Sequence, residues 1–144
     1  MIQIHEHIAQ AIVDFARSKL PIEACGYLAG TDGVISHWYG LTNIDNSPEH
    51  FSFDPKEQFA TVKDARSKGL QLLANFHSHP ETPARPSQED IRLAFDPNIL
   101  YFIISFAEET PDIKAFKIIN GEVEKIEIIV EDTTYANSTT TITK

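Results

Sequence analysis

Cysteine is almost absent from this chain: Cys25 is the only one in 144 residues. A lone cysteine closes no internal disulfide and cannot build a Cys-rich zinc cluster, which excludes disulfide scaffolds and zinc fingers. Basic residues are also scarce. Twelve Lys and Arg stand against 21 Asp and Glu, for a formal charge of -9, and the twelve are scattered. Phosphate binding needs clustered cations, so neither a nucleic acid nor an acidic membrane surface is expected as a partner. Long apolar runs are missing as well. The longest, Ile99 to Ala107, is about half of what a membrane-spanning helix requires. The start, Met1-Ile2-Gln3-Ile4-His5-Glu6, lacks the basic and apolar regions of a secretory signal, so a reducing cytoplasm is the expected compartment.

What is present suits a folded domain. The apolar fraction of 42% with 10% aromatic residues is ordinary for a globular protein, and the length allows one proper core. No internal repeat or Pro/Gly/Ser-rich linker divides the chain. One domain is expected over residues 1–130, and the polar, Thr-rich stretch 131–144 reads as a frayed or disordered tail.

Periodicity and punctuation order the elements. Ile8, Ile12, Phe15 and Leu20 lie near helical spacing, which predicts a helix over 5–18 closed by Pro21. Gly26–Ala29 and Val34–Trp38 flank the turn-rich Gly30-Thr31-Asp32-Gly33, which predicts an antiparallel hairpin. Residues 43–50 read as loop, followed by the alternating Phe51-Ser52-Phe53. Asp54-Pro55 is a strong helix start and Gly69 a good stop, giving a second helix to Lys68. The apolar run Leu70–Phe76 predicts a central strand whose end delivers His77 and His79. Pro80, Pro83 and Pro86 stiffen the path to Ser87, which can cap a short helix reaching about Phe95. A strand from Ile99 follows, then a hairpin of Ile113–Ile119 and Val123–Val130 turning at Asn120-Gly121. Phe51, Phe53, Phe59, Tyr101, Phe102 and Phe106 are expected in the core.

Chemistry concentrates at His77-Ser78-His79-Pro80, followed after six residues by Ser87 and then by Asp90. On a strand, residues i and i+2 share a face, so His77 and His79 can present their imidazoles to one ion while Ser78 faces away. Asp90 falls in the first turn of the next helix, where a carboxylate is favoured. Two nitrogens and one carboxylate oxygen suit zinc, and three protein ligands leave a position for water, the mark of a catalytic rather than a structural site. Amide hydrolysis is the natural reaction. It also needs an acid/base outside the ligand set, and composition alone does not choose one among 21 acidic residues.

This constellation resembles the signature of the JAMM (MPN+) metalloproteases, whose bacterial members carry a glutamate upstream in a Glu-x-Cys-Gly-like context. Glu23-Ala24-Cys25-Gly26-Tyr27-Leu28-Ala29-Gly30 is similar to that context, and the likeness runs from about Pro21 to Asp96. The resemblance implies an α/β fold related to the cytidine deaminases: a mixed, largely antiparallel curved sheet flanked by helices. It implies one Zn2+ held by His77, His79 and Asp90, with Glu23 as general acid/base and Ser87 donating to the oxyanion. It further implies a peptidase or isopeptidase acting at the C-terminus of a ubiquitin-like or sulfur-carrier protein. Only eight residues separate Asp90 from Ile99, which leaves no room for the insertion that builds a ubiquitin-chain site in eukaryotic relatives.

Three other readings stand beside this one. A non-catalytic interaction module of the MPN type would typically lack the ligands, and a zinc-binding domain without hydrolysis would not need Glu23. Cys25 could be a nucleophile, although lone cysteines are usually small buried residues. A deaminase would need a Pro-Cys-x-x-Cys run, and no such run occurs. His5, His7, His37 and His50 read as surface or loop residues.

Overall fold

A computed structural model describes residues 1–131. The polar tail expected over 131–144 lies outside the described residues apart from Glu131, which ends the last strand. In chain order the elements are β1 (Ile2–His5), α1 (Glu6–Lys19), β2 (Cys25–Thr31), β3 (Val34–Leu41), α2 (Pro55–Ser67), β4 (Gln71–His79), α3 (Gln88–Arg92), β5 (Leu100–Ser105), β6 (Asp112–Ile119), β7 (Glu122–Ile126) and β8 (Ile128–Glu131). One mixed sheet of eight strands runs β7-β6-β5-β4-β2-β3-β1-β8. The pairs β1–β3, β1–β8 and β4–β5 are parallel and the others antiparallel. This is the mixed α/β architecture expected.

The curvature of the sheet follows from its last two strands. β7 pairs with β6 at one end of the sheet and β8 with β1 at the other, yet only Glu127 separates them in the chain. The two ends therefore meet, and the sheet curls around α1. Ile8, Ile12, Val13 and Ala16 form the buried face of α1 and share one core with Ile4, Leu28, Ile35, Phe76, Phe102 and Ile104. Burying a side chain of this size contributes about 1.5–3 kcal/mol, so this cluster carries most of the fold's hydrophobic stabilisation. The alternate residues of β5 and β6 point to the opposite face, where Tyr101, Ile103, Phe116 and Ile118 form a smaller core with Ala84 and Ile91.

Local chemistry explains the boundaries. Asp54 caps α2 by accepting from the Lys56 amide at 2.9 Å, Pro55 occupies the first turn, and Gly69 follows at φ +70°. Asn120 and Gly121 both adopt positive φ, as a tight hairpin turn demands.

Several expectations are corrected. β1 was not anticipated, because its four residues are too short to show alternation. The strand expected over Val123–Val130 breaks at Glu127 because its halves pair with opposite ends of the sheet. The central strand runs through His79 rather than ending before the histidines, since β5 pairs with it as far as Ser105. α3 stops at Arg92, short of Phe95, which is 80% exposed. Leu20 lies past the end of α1, and Phe59 is 69% exposed on α2 rather than in the core.

Candidate metal centre

β4 sits between β2 and β5, so its final turn-ward residues are fixed by strands on both sides. Its alternation places Ala74, Phe76 and Ser78 toward α1 and Asn75, His77 and His79 toward the other face. Ser78 is fully buried, and its role is structural fastening. Its Oγ accepts from the Ala24 amide at 2.8 Å while its own amide donates to the Ala24 carbonyl at 3.0 Å. This clamps the segment bearing Glu23 onto the strand bearing the histidines. Gly26 completes the fit, because a Cβ there would meet the Tyr39 carbonyl oxygen at 2.0 Å and the Phe76 ring at 2.5 Å.

α3 brings the third group. Ser87 and Asp90 form a capping box: the Asp90 amide donates to Ser87 Oγ at 3.0 Å, and the Ser87 amide donates to Asp90 Oδ2 at 2.9 Å. Ser87 Oγ is used there as an acceptor, which leaves its O–H free to donate.

His77 Nε2, His79 Nε2 and Asp90 Oδ2 lie 3.1 Å from one another in all three pairs. Two imidazole nitrogens and a carboxylate oxygen at that spacing match three corners of a tetrahedron around an ion about 2 Å from each. Among the described residues these three form the one cluster of His, Cys, Asp or Glu able to hold a metal ion. The donor set therefore fits zinc. His79 Nδ1 donates to the Pro83 carbonyl at 2.8 Å, which keeps its Nε2 lone pair available for a metal. The His77 ring stacks on Phe51 with centroids 4.8 Å apart.

Without metal, Asp90 and His79 are both shifted. Burial alone would raise the Asp90 carboxyl, but hydrogen bonds from His77 and His79 hold it well below the usual carboxylate range. Burial pulls the His79 imidazole down, and its bonds to Asp90 and the Pro83 carbonyl more than reverse that, leaving it raised.

Glu23 lies in the same electrostatic neighbourhood. Its side chain is 4% exposed, with Oε1 lacking any hydrogen-bond partner. Burial, and then repulsion from Asp90, Glu89 and Glu49, pushes its carboxyl up to about 9. The backbone around it is held by contrast: its amide donates to the Ser47 carbonyl at 2.9 Å and its carbonyl accepts from Asn43 Nδ2 at 3.1 Å. Cys25 is no nucleophile, because burial raises its thiol to about 12 and Sγ faces the Leu41 carbonyl.

Residues that sequence reasoning missed organise the approach to the site. Asn43 donates to the carbonyls of Glu23 and His50 and accepts from the amides of Asp45 and Ser52, fixing the loop that carries Phe51. A groove of about 840 Å³ opens beside His77 and Asp90 and runs along β4 toward Gln71. Val62 of α2 stands on one side, Leu93 and Phe95 on the other, with Tyr27, Asn75 and Tyr101 on its floor.

Comparison with known proteins gives this geometry a setting. The profile of the family described as prokaryotic homologs of the JAB domain matches residues 5–119. The CysO-cysteine peptidase of Mycobacterium tuberculosis is 30% identical over 123 residues, covering 83% of this chain and 84% of that protein. The desampylase of Pyrococcus furiosus is 27% identical over 129 residues, covering 89% of each. The solution structure of a protein from Desulfitobacterium hafniense is 50% identical, superposes with a TM-score of 0.85, and covers 92% of this chain and 94% of that one.

Proposed function

This chain belongs to the family of prokaryotic homologues of the JAB domain, and from that membership we propose that it is a zinc-dependent peptidase or isopeptidase acting at the C-terminal tail of a ubiquitin-like or sulfur-carrier protein. The peptidase activity named for its Mycobacterium tuberculosis relative supports the reaction class. The observation that carries the reading is the convergence of His77 Nε2, His79 Nε2 and Asp90 Oδ2 at 3.1 Å. The non-catalytic module reading loses its motive, since a chain of that kind has no use for three converged donors.

The roles follow from chemistry. We assign His77, His79 and Asp90 as zinc ligands, Glu23 as general acid/base and Ser87 as oxyanion donor. Zinc, when bound, supplies a Lewis acid that lowers the pKa of water from about 15.7 to about 7 and polarises a carbonyl. A bound dication would draw the Glu23 carboxyl down from its raised value, and the carboxylate would take the attacking water's proton and return it to the leaving amine. Ser87 donates its free O–H to the oxygen on which charge develops. The groove beside the ligands takes the extended tail.

Between α3 and β5 the chain has only residues 93–99, so selectivity for one ubiquitin linkage is not expected. No helix among the described residues is long and apolar enough to cross a membrane. The unpaired Cys25 suits a reducing cytoplasm, which we propose as the compartment.

The zinc-loaded protein is expected to cleave a carrier whose tail ends in Gly-Gly joined to a further residue. A chelator should stop the reaction and added zinc restore it. Cleavage that survives complete removal of zinc contradicts the reading. Ser87→Ala is expected to keep its zinc and to turn over about a hundred- to a thousandfold more slowly. It should also lose about 1 kcal/mol of stability with the α3 cap. Zinc analysis alongside kcat checks this, and loss of metal would contradict the assigned role.

A further inference from the structure

Asn75 lies two residues before His77 on the same face of β4 and lines the groove, yet its Oδ1 is buried with no hydrogen-bond partner. An acceptor left unpaired in the interior is costly and unusual, and it points to a partner that arrives from outside the fold. Directly across the strand pair is Tyr27, which also lines the groove. The Tyr27 oxygen accepts from Gln58 Nε2 at 3.0 Å, and its ring is locked by stacking on Phe53 with centroids 4.8 Å apart. Its hydroxyl hydrogen is thus left to donate to a further partner. One acceptor on β4 and one donor on β2 complement a peptide group, which offers both an N–H and a C=O. Both groups are uncharged, so the pair suits substrate backbone rather than an ionic side chain.

We propose that Asn75 is a substrate-binding residue: a turn of its side-chain amide brings Oδ1 from its buried, unpartnered position to the groove, where it accepts one backbone N–H of the tail, with Tyr27 donating to the neighbouring carbonyl. The inference rests on the peptidase reading and deepens it by naming what the groove recognises. Two residues along a strand span about 7 Å, so the peptide group held by Asn75 lies about two residues from the scissile bond. Recognition of this kind reads the extended shape of the tail and tolerates changes in its side chains.

The test is an ester scan of a synthetic Gly-Gly-containing peptide substrate, in which each peptide N–H within three residues of the scissile bond is replaced in turn by oxygen. With the zinc-loaded wild type, one position is expected to lose about tenfold in kcat/KM, the equivalent of one hydrogen bond. In Asn75→Leu the all-amide substrate should lose about the same tenfold, expressed in KM, and the sensitive ester should cost less than a further twofold. Zinc content should be unchanged. The metal-free Asn75→Leu protein should also melt about 3 °C higher, because an unpaired buried acceptor has been removed. A purely structural Asn75 would move melting the other way.

An ester profile that is the same in wild type and variant at every position overturns the proposal, as does a variant that melts lower with KM unchanged. Asn75→Val is the second variant, and a fold that tolerates neither makes Asn75 structural and also overturns it. A wild type with no chelator-sensitive cleavage sinks the peptidase reading, and this inference with it. Chelator-sensitive cleavage with matching ester profiles sinks this inference alone.

Discussion

Glu23→Gln is expected to keep its zinc, to lose cleavage by about a thousandfold, and to melt several degrees above the wild type when both are metal-free. The three outcomes have separate physical origins, which is what makes the variant informative. Zinc is retained because the donors that converge are His77, His79 and Asp90, and glutamine leaves them untouched. Cleavage is lost because an amide of the same shape neither takes the proton of the attacking water nor returns one to the leaving amine.

The gain in stability follows from the sign of the pKa shift. In the unfolded chain this carboxyl ionises near 4.5, whereas in the fold burial and neighbouring carboxylates raise it to about 9. Between those values the folded state holds a proton that the unfolded state has released, so wild-type stability falls as pH rises through the window. Glutamine has no such dependence. The advantage of the variant should be small near pH 4.5 and grow toward pH 9, reaching about 1–3 kcal/mol, or roughly 3–10 °C in Tm. Melting curves of the chelated proteins at several pH values check this. A variant that melts lower than wild type at pH 8 would mean that Glu23 is not the strained, unpartnered acid described above. Loss of zinc with loss of activity would instead make Glu23 a ligand.

How far the sequence disclosed this arrangement varies from residue to residue. His77 and His79 were legible because a strand's two-residue alternation needs no tertiary information, and Ser87 and Asp90 because a capping box is local. Asp54, Pro55 and Gly69 marked α2 for the same reason. Glu23 was legible only through resemblance, since its burial depends on its own contacts with Asn43 and Ser47 and on the bonds of its neighbour Ala24 to Ser78, spread over the fold. Asn43 and Asn75 gave no signal in the sequence at all. One is a loop asparagine among turn formers, the other a polar residue in an apolar strand, and the meaning of each comes from what surrounds it. β1 and the break at Glu127 share one cause: both exist because β8 pairs with β1 at the far end of the sheet from β7, a property of the whole chain that no short window contains.

Asp90→Asn is expected to abolish zinc-dependent stabilisation and, with it, cleavage. In the wild type, free zinc at about a thousand times its Kd should add about 4 kcal/mol to unfolding, because the ion binds the folded state alone. Asparagine replaces a charged oxygen with a neutral one at the point where both imidazoles converge, so zinc affinity should fall by about a thousandfold or more, beyond the roughly 10–100-fold that losing a group supporting a ligand costs. Dialysed Asp90→Asn should hold no stoichiometric zinc, and added zinc should leave its Tm nearly unmoved. Part of the α3 cap should persist, since the asparagine oxygen can still accept from the Ser87 amide.

The metal-free protein supplies a second readout. Asp90 ionises far below its ordinary 3.8 because of His77 and then His79, and His79 above its ordinary 6.5 because of Asp90 and the Pro83 carbonyl. The carboxylate's contribution is present above about pH 4 and lost as pH falls through its folded value; the imidazolium's is present below about 6.5 and lost as pH rises through its own. The pair therefore stabilises the apo fold most between those limits, and Asp90→Asn should cost most stability there. Zinc binding in the wild type should show the opposite trend, weakening as pH drops through the same range, because a protonated imidazole has no lone pair to give. Zinc affinity that stayed flat from pH 8 to pH 5 would remove the two histidines from the ligand set, and the peptidase reading could not survive without them.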